Sequence, residues 1–155
     1  VCGNCSLFYN EGAIYTCGEN SNYQLGTGND NNINEPTFIM DDVLDASIGI
    51  SHLLIVKNNN TVYSCGSNSY GELGFGDTID RNVLSLNTNL SDIMYCYAGY
   101  NNTCFQKTDY SNLVCGKNDK GQLFLNHTTN QLTITSLNYN IPNWFEMRST
   151  YSVIY

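Results

Sequence analysis

YSCGSNSYGELGFGD, Tyr63 to Asp77, is the stretch on which the fold turns. Its second half, GELGFGDT from Gly71 to Thr78, holds three glycines in eight residues and has the look of a nucleotide-binding loop. A phosphate cradle needs glycines between a strand and a helix N-terminus, so that backbone amides converge on the anion. Here the order is G-x-x-G-x-G, no Lys-Ser/Thr pair follows, and no helical periodicity comes after it.

The stretch also recurs. YTCGENSNYQLGTGN from Tyr15 and LVCGKNDKGQLFLNH from Leu113 align with it without gaps. Cys17, Cys65 and Cys115 are equivalent and fall 48 and 50 residues apart. Gly18, Gly66 and Gly116 are equivalent, as are Asn20, Asn68 and Asn118, and Leu25, Leu73 and Leu123. A loop repeated unit after unit is a structural turn, and the recurring leucine is its buried anchor. A second segment precedes each copy: NCSLFYNEGAIY from Asn4, HLLIVKNNNTVY from His52, and NTCFQKTDYSNLV from Asn102. A fourth copy opens at Tyr151 with YSVIY.

Each period divides alike. In the second, a short apolar run over 53–56, a polar tip over 57–60 and another run over 61–65 predict a hairpin. After the glycine-rich stretch come runs over 83–86 and 93–98, matched in the first period by 37–40 and 43–48. Four short strands in roughly fifty residues make a propeller blade. The runs are near-continuous rather than alternating, as expected of strands covered on both faces.

The pattern formed by Gly49, His52, Val62–Tyr63, Gly66, Asn68, Gly71–Glu72–Leu73–Gly74 and Gly76–Asp77 resembles that of the regulator of chromosome condensation (RCC1) repeats. The resemblance covers essentially the whole chain. It implies a seven-bladed β-propeller in full-length relatives. The expected fold is therefore all-β: an arc of about three four-stranded blades plus the first strand of a fourth. Residues 1–155 form one propeller segment, with repeats at about 1–48, 49–98 and 99–147 and the start of another at 148–155. Some positions depart from the family pattern. Cys17, Cys65 and Cys115 stand where Trp is usual, and Tyr23 stands where Gly is usual. Phe124 and Leu125 break the later glycine run of the third copy. The His52 position holds Asn4, Asn102 and Tyr151 elsewhere, and Arg148 replaces the Gly of the last copy.

Composition narrows the partners. The net charge is −8, and only 13% of residues are charged. An acidic chain repels phosphate, so no nucleic acid or anionic membrane is expected, and a basic protein surface is the better match. No apolar run is long enough to span a bilayer. Val1 opens directly onto a strand-like run, so the chain is expected to be a segment of a longer one. Seven cysteines, an odd number, are expected as free thiols in an intracellular setting, cytoplasmic or nuclear.

Chemistry candidates are few. Cys2–Gly3–Asn4–Cys5 is a C-x-x-C, but it fills an ordinary repeat position and no second pair completes a zinc site. No metal or cofactor is expected. His52 sits at a repeat position, and nothing around His127 marks a catalytic triad, so no catalytic residues are assigned. The acids Asp30, Asp77 and Asp80 lie in loops and are the candidate partner contacts, within contact loops 26–36, 74–82 and 122–131. The expected function is a protein–protein interaction module. The resemblance also implies an alternative, a guanine nucleotide exchange factor for a Ran-type small GTPase. A weaker one is the regulatory or substrate-binding propeller of a ubiquitin ligase or kinase.

Overall fold

The computed structural model describes residues 4–138, together with the backbone of Met147–Arg148 and Val153–Ile154. Among these residues the elements are all strands: β1 Cys5–Asn10, β2 Ala13–Gly18, β3 Ile33–Met40, β4 Val43–Ile48, β5 His52–Lys57, β6 Val62–Gly66, β7 Arg81–Leu86, β8 Ile93–Ala98, β9 Asn102–Lys107, β10 Asn112–Gly116 and β11 Gln131–Ser136. Three antiparallel sheets follow in chain order. They run β1-β2-β3, then β4-β5-β6-β7, then β8-β9-β10-β11. Farther along the chain, β12 Met147–Arg148 pairs with β13 Val153–Ile154. The remainder of 139–155 lies outside the described residues. The fold is an arc of a β-propeller.

Sequence period and sheet are out of phase by one strand. The last strand of each period, β4 or β8, crosses over and pairs with the first strand of the next period, Ile48 with Leu53 and Ala98 with Thr103. Consecutive repeats are thereby tied together through backbone hydrogen bonds, not only through side-chain packing. The first sheet has three strands because no partner of this kind lies beside β1 among the described residues. The burial pattern records the difference. In β5 and β9 every residue but the last is buried, whereas β1 leaves Phe8 46% and Tyr9 58% exposed.

Alternation within a strand explains the continuous apolar runs. Successive side chains point to opposite faces. Leu53 and Ile55 of β5 therefore join Cys5, Ile14 and Leu25 in a core between the first and second sheets. Leu54 and Val56 join Ile93, Cys96, Phe105 and Cys115 in a core between the second and third. A strand sandwiched between two neighbours has no solvent face, so HLLIVK shows no polar alternation.

The inner strands of adjacent sheets are also laced directly. The Cys96 amide donates to Asp45 Oδ2 at 2.8 Å, and the Ala98 amide donates to Ser47 Oγ at 3.0 Å.

The cysteines at the tryptophan position are more than small apolar fillers. Cys65 is buried and donates its thiol to the Tyr23 carbonyl at 3.3 Å, from the second sheet to the first repeat's loop. Cys115 does the same toward the Glu72 carbonyl at 3.6 Å. Burial pushes the Cys65 thiol up to about 12 and raises Cys96, Cys104 and Cys115 as well. Cys17, Cys65, Cys96, Cys104 and Cys115 are free thiols. Cys5 is disulfide-bonded, which corrects the expectation of thiols throughout.

Candidate partner-binding loops

The glycine-rich stretches form three loops, joining β2 to β3, β6 to β7 and β10 to β11. Each is organised around the recurrent asparagine. Asn68 is fully buried. Its Oδ1 accepts the Leu73 amide at 2.9 Å, and its Nδ2 donates to the carbonyl and carboxylate of Asp77, both at 2.9 Å. Asn20 accepts the Leu25 amide at 2.9 Å and donates to Thr27 Oγ1 and the Asn29 carbonyl. Asn118 accepts the Leu123 amide at 2.8 Å and donates to the carbonyls of His127 and Thr129. One buried amide thus replaces regular secondary structure for a loop that has none, because buried backbone polar groups must find partners. Leu25, Leu73 and Leu123 are completely buried beneath it.

Gly18, Gly66 and Gly116 stand where each loop leaves its strand, with φ of 111°, 109° and 103°. A Cβ on Gly66 would run into the backbone of Ser51 and His52. At the same point the next amide, that of Ser67, bonds back to the Ser51 carbonyl at 2.8 Å. Glu19 to Asn4 and Lys117 to Asn101 repeat the bond in the other copies.

The other glycines of GELGFG let the loop lie on the outermost strand of the next sheet. A Cβ on Gly71 would stand 2.5 Å from the Leu132 Cα, and one on Gly74 would stand 3.2 Å from Ile134, both in β11. Gly26 and Gly28 of the first loop approach Leu84 and Val83 of β7 in the same manner. In the third loop Phe124 and Asn126 occupy these glycine positions with φ of 55° and 58°, and Phe124 is 44% exposed.

The three candidate acids divide by role. Asp77 binds Arg81 through both carboxylate oxygens, at 2.8 and 3.3 Å, and accepts the Ile79 amide at 2.9 Å. Arg81 beside it holds the Asp77 carboxyl below the usual range, with desolvation opposing. Arg81 in turn lies 4.3 Å over the Phe75 ring. The position of Asp77 is filled by Asn29 and His127 in the other loops, whose side chains accept the amides of Asn31 and Thr129. Asp80 accepts the Asn68 amide at 2.7 Å, as Asn32 does for Asn20 and Asn130 for Asn118. Asp30 is one residue beyond the Asp77 position, at the exposed tip of its loop.

His52 is fully buried and bridges two sheets. Its Nε2 lies 3.0 Å from Thr103 Oγ1, which donates to the Glu72 carbonyl at 2.6 Å. Thr103 uses its proton on that carbonyl, so Nε2 carries the hydrogen. Burial lowers the imidazole to about 4 and keeps it neutral.

Several residues of the site were not singled out from sequence. Asn32 and Asn130 recur, like the candidate Asp80, twelve residues after the anchoring asparagine, and Gln24, Glu72 and Gln122 recur just before the leucine. Their periodicity was the available signal. Thr103 carried none, since its counterparts are Leu53 and Cys5.

Residues 11–56 and 59–106 match the regulator of chromosome condensation (RCC1) repeat, and 43–72 match a second description of the same repeat. No curated protein matches the sequence. Among solved structures, Prp20p from Saccharomyces cerevisiae is similar, with a TM-score of 0.78 and 15% identity over 92% of this chain and 38% of that one. That protein is described with its binding to Gsp1p and histones. Yeast RCC1 (Prp20) bound to Kap60 gives 0.78 and 16% over 92% and 37%. Human WBSCR16 gives 0.72 and 15% over 94% and 40%. The chain spans well under half the length of these proteins, and at such identity the likeness shows the fold.

Proposed function

Because the chain belongs to the RCC1-repeat family, we propose that it is a protein-binding module that presents its blade loops to a partner. The observation that carries this reading is the shared construction of the loops. Three segments without regular structure are each held by the same buried asparagine and placed at fixed spacing by stacked sheets. Loops ordered before contact lose little conformational entropy on binding, which favours recognition. The net charge of −8 supports a basic partner surface. Asp30 and the exposed Ile79 and Phe124 are the contacts of choice, since Asp77 and Asp80 also hold their loop together.

Affinity capture with the intact chain, beside a variant carrying Asp30→Lys, Ile79→Lys and Phe124→Lys, tests the proposal. Proteins retained by the first and lost from the second are the expected result. Identical sets from both would contradict it.

A second reading is favoured by the likeness to Prp20p, whose description names Gsp1p. Exchange on a Ran-type GTPase would need no covalent catalyst, only loops that favour the nucleotide-free form. Acceleration of nucleotide release from such a GTPase is its expected signature, and the spontaneous rate would rule it out for this chain.

A further inference from the structure

Glu72 lies inside the loop between β6 and β7, which packs against the third sheet, and is completely buried. One carboxylate oxygen, Oε2, accepts the Tyr70 amide at 2.7 Å. The other, Oε1, is buried without a hydrogen-bond partner. The equivalent residues are glutamines. Gln24 accepts the Asn22 amide at 2.9 Å and Gln122 accepts the Lys120 amide at 2.8 Å, reproducing the Tyr70 bond. Their second arm is a donor. Gln24 Nε2 gives its hydrogen to the Ile50 carbonyl, across the junction to the next sheet, and Gln122 Nε2 gives its hydrogen to Asp119 Oδ1. The position therefore takes one acceptor and one donor. A carboxylate offers two acceptors, whereas a carboxylic acid offers one of each.

We infer that Glu72 is carried as the uncharged carboxylic acid in the folded chain, its Oε1 proton standing in for the glutamine amide, so that the junction between the second and third sheets is locked when the proton is present and loosened when it leaves. The surroundings favour this. Among the described residues no basic side chain pairs with Glu72. Asp80 is the charged group whose field reaches it, and that field is repulsive. The Cys115 thiol and the neutral His52, through Thr103, face it from the third and second sheets. Burial, the largest cause, raises the carboxyl to about 7 from 4.5. The acceptor that corresponds to the Ile50 carbonyl is that of Tyr100.

The sign follows from linkage. A carboxyl whose folded value is raised binds its proton in the folded state while the unfolded chain has already released it. Its stabilising effect is full below the unfolded value and lost as pH rises toward about 7. His52, lowered to about 4, acts with the opposite slope between there and 6.5, so the two contributions oppose each other in wild type. The informative quantity is the difference between Glu72→Gln and wild type.

Denaturant unfolding of both chains from pH 4 to pH 8.5 tests the inference. The folding constant of Glu72→Gln relative to wild type is expected to grow about 300-fold over that range. A ratio that does not change with pH would overturn it. Carbon NMR of wild type labelled at the glutamate carboxyls gives an answer that does not depend on the variant folding. One carboxyl titrating near neutrality, and absent from Glu72→Gln where that variant folds, is expected. Titration of every carboxyl in the ordinary acidic range would overturn the proposal.

Discussion

Asn68 makes three hydrogen bonds from a side chain with no solvent exposure: one accepted from Leu73 and two donated to Asp77. Replacing it with alanine leaves the Leu73 amide and the Asp77 carbonyl without it in the interior. A loss of about 2–4 kcal/mol is expected from chemical unfolding, well above that of an exposed asparagine such as Asn59. His52 gives a pH signature. The unfolded imidazole takes up a proton near 6.5 and the folded one not until about 4. The His52 contribution to stability is therefore lost as pH falls through that window, by roughly 3 kcal/mol in full. For His52→Asn, the residue found at the equivalent Asn4 and Asn102, stability relative to wild type should rise as pH falls through this window when unfolding midpoints are followed against pH, since the Glu72 contribution is common to both chains. At this scale the sequence was legible wherever a residue recurred. Asn20, Asn68 and Asn118 were visible as a set, but a repeat does not say which way an amide points or that one carboxyl is enclosed. The role of Asp77 was hidden for the same reason. Asn29 and His127 perform its turn bond with different chemistry, so their equivalence shows only in the hydrogen bonds.

Among the strands, β5 explains why the boundaries were readable and the sheets were not. The run over 53–56 predicts a strand found at His52–Lys57, and 93–98 coincides with β8. Pairing was less visible, because a continuous apolar run carries no mark of which neighbour it joins. The crossover of β4 and β8 into the following sheet has no local signal. It follows from a sheet that must tie one repeat to the next. The same burial sets thiol reactivity. Cys65, Cys96, Cys104 and Cys115 are enclosed between sheets, whereas Cys17 is half-buried beside β1, at the open side of the first sheet. Since the thiolate is the reactive form, labelling with a maleimide at neutral pH should modify Cys17 and leave the other four intact until the chain is unfolded. Rapid labelling of Cys65 in the native chain, followed by mass spectrometry, would show that the junction of the first two sheets is not closed as described.

Across the whole molecule, each sheet buries its faces against its neighbours, and the glycine-rich loop of one rests on the outer strand of the next. GELGFGDT is therefore a joint between blades rather than a ligand cradle, and the rigid spacing of the proposed contact loops depends on it. Repeat proteins of this kind derive their stability from such interfaces as much as from each unit alone. Gly71 and Gly121 allow this to be isolated. Both have positive φ, 81° and 78°, so alanine strains the backbone equally at each. A Cβ on Gly71 meets the Leu132 backbone, while a Cβ on Gly121 meets nothing within 4 Å among the described residues. Unfolding of Gly71→Ala and Gly121→Ala side by side is the most direct test. A loss of about 1 kcal/mol is expected for Gly121→Ala, with at least about 2 kcal/mol more for Gly71→Ala. Equal losses would contradict the claim that this loop joins one blade to the next.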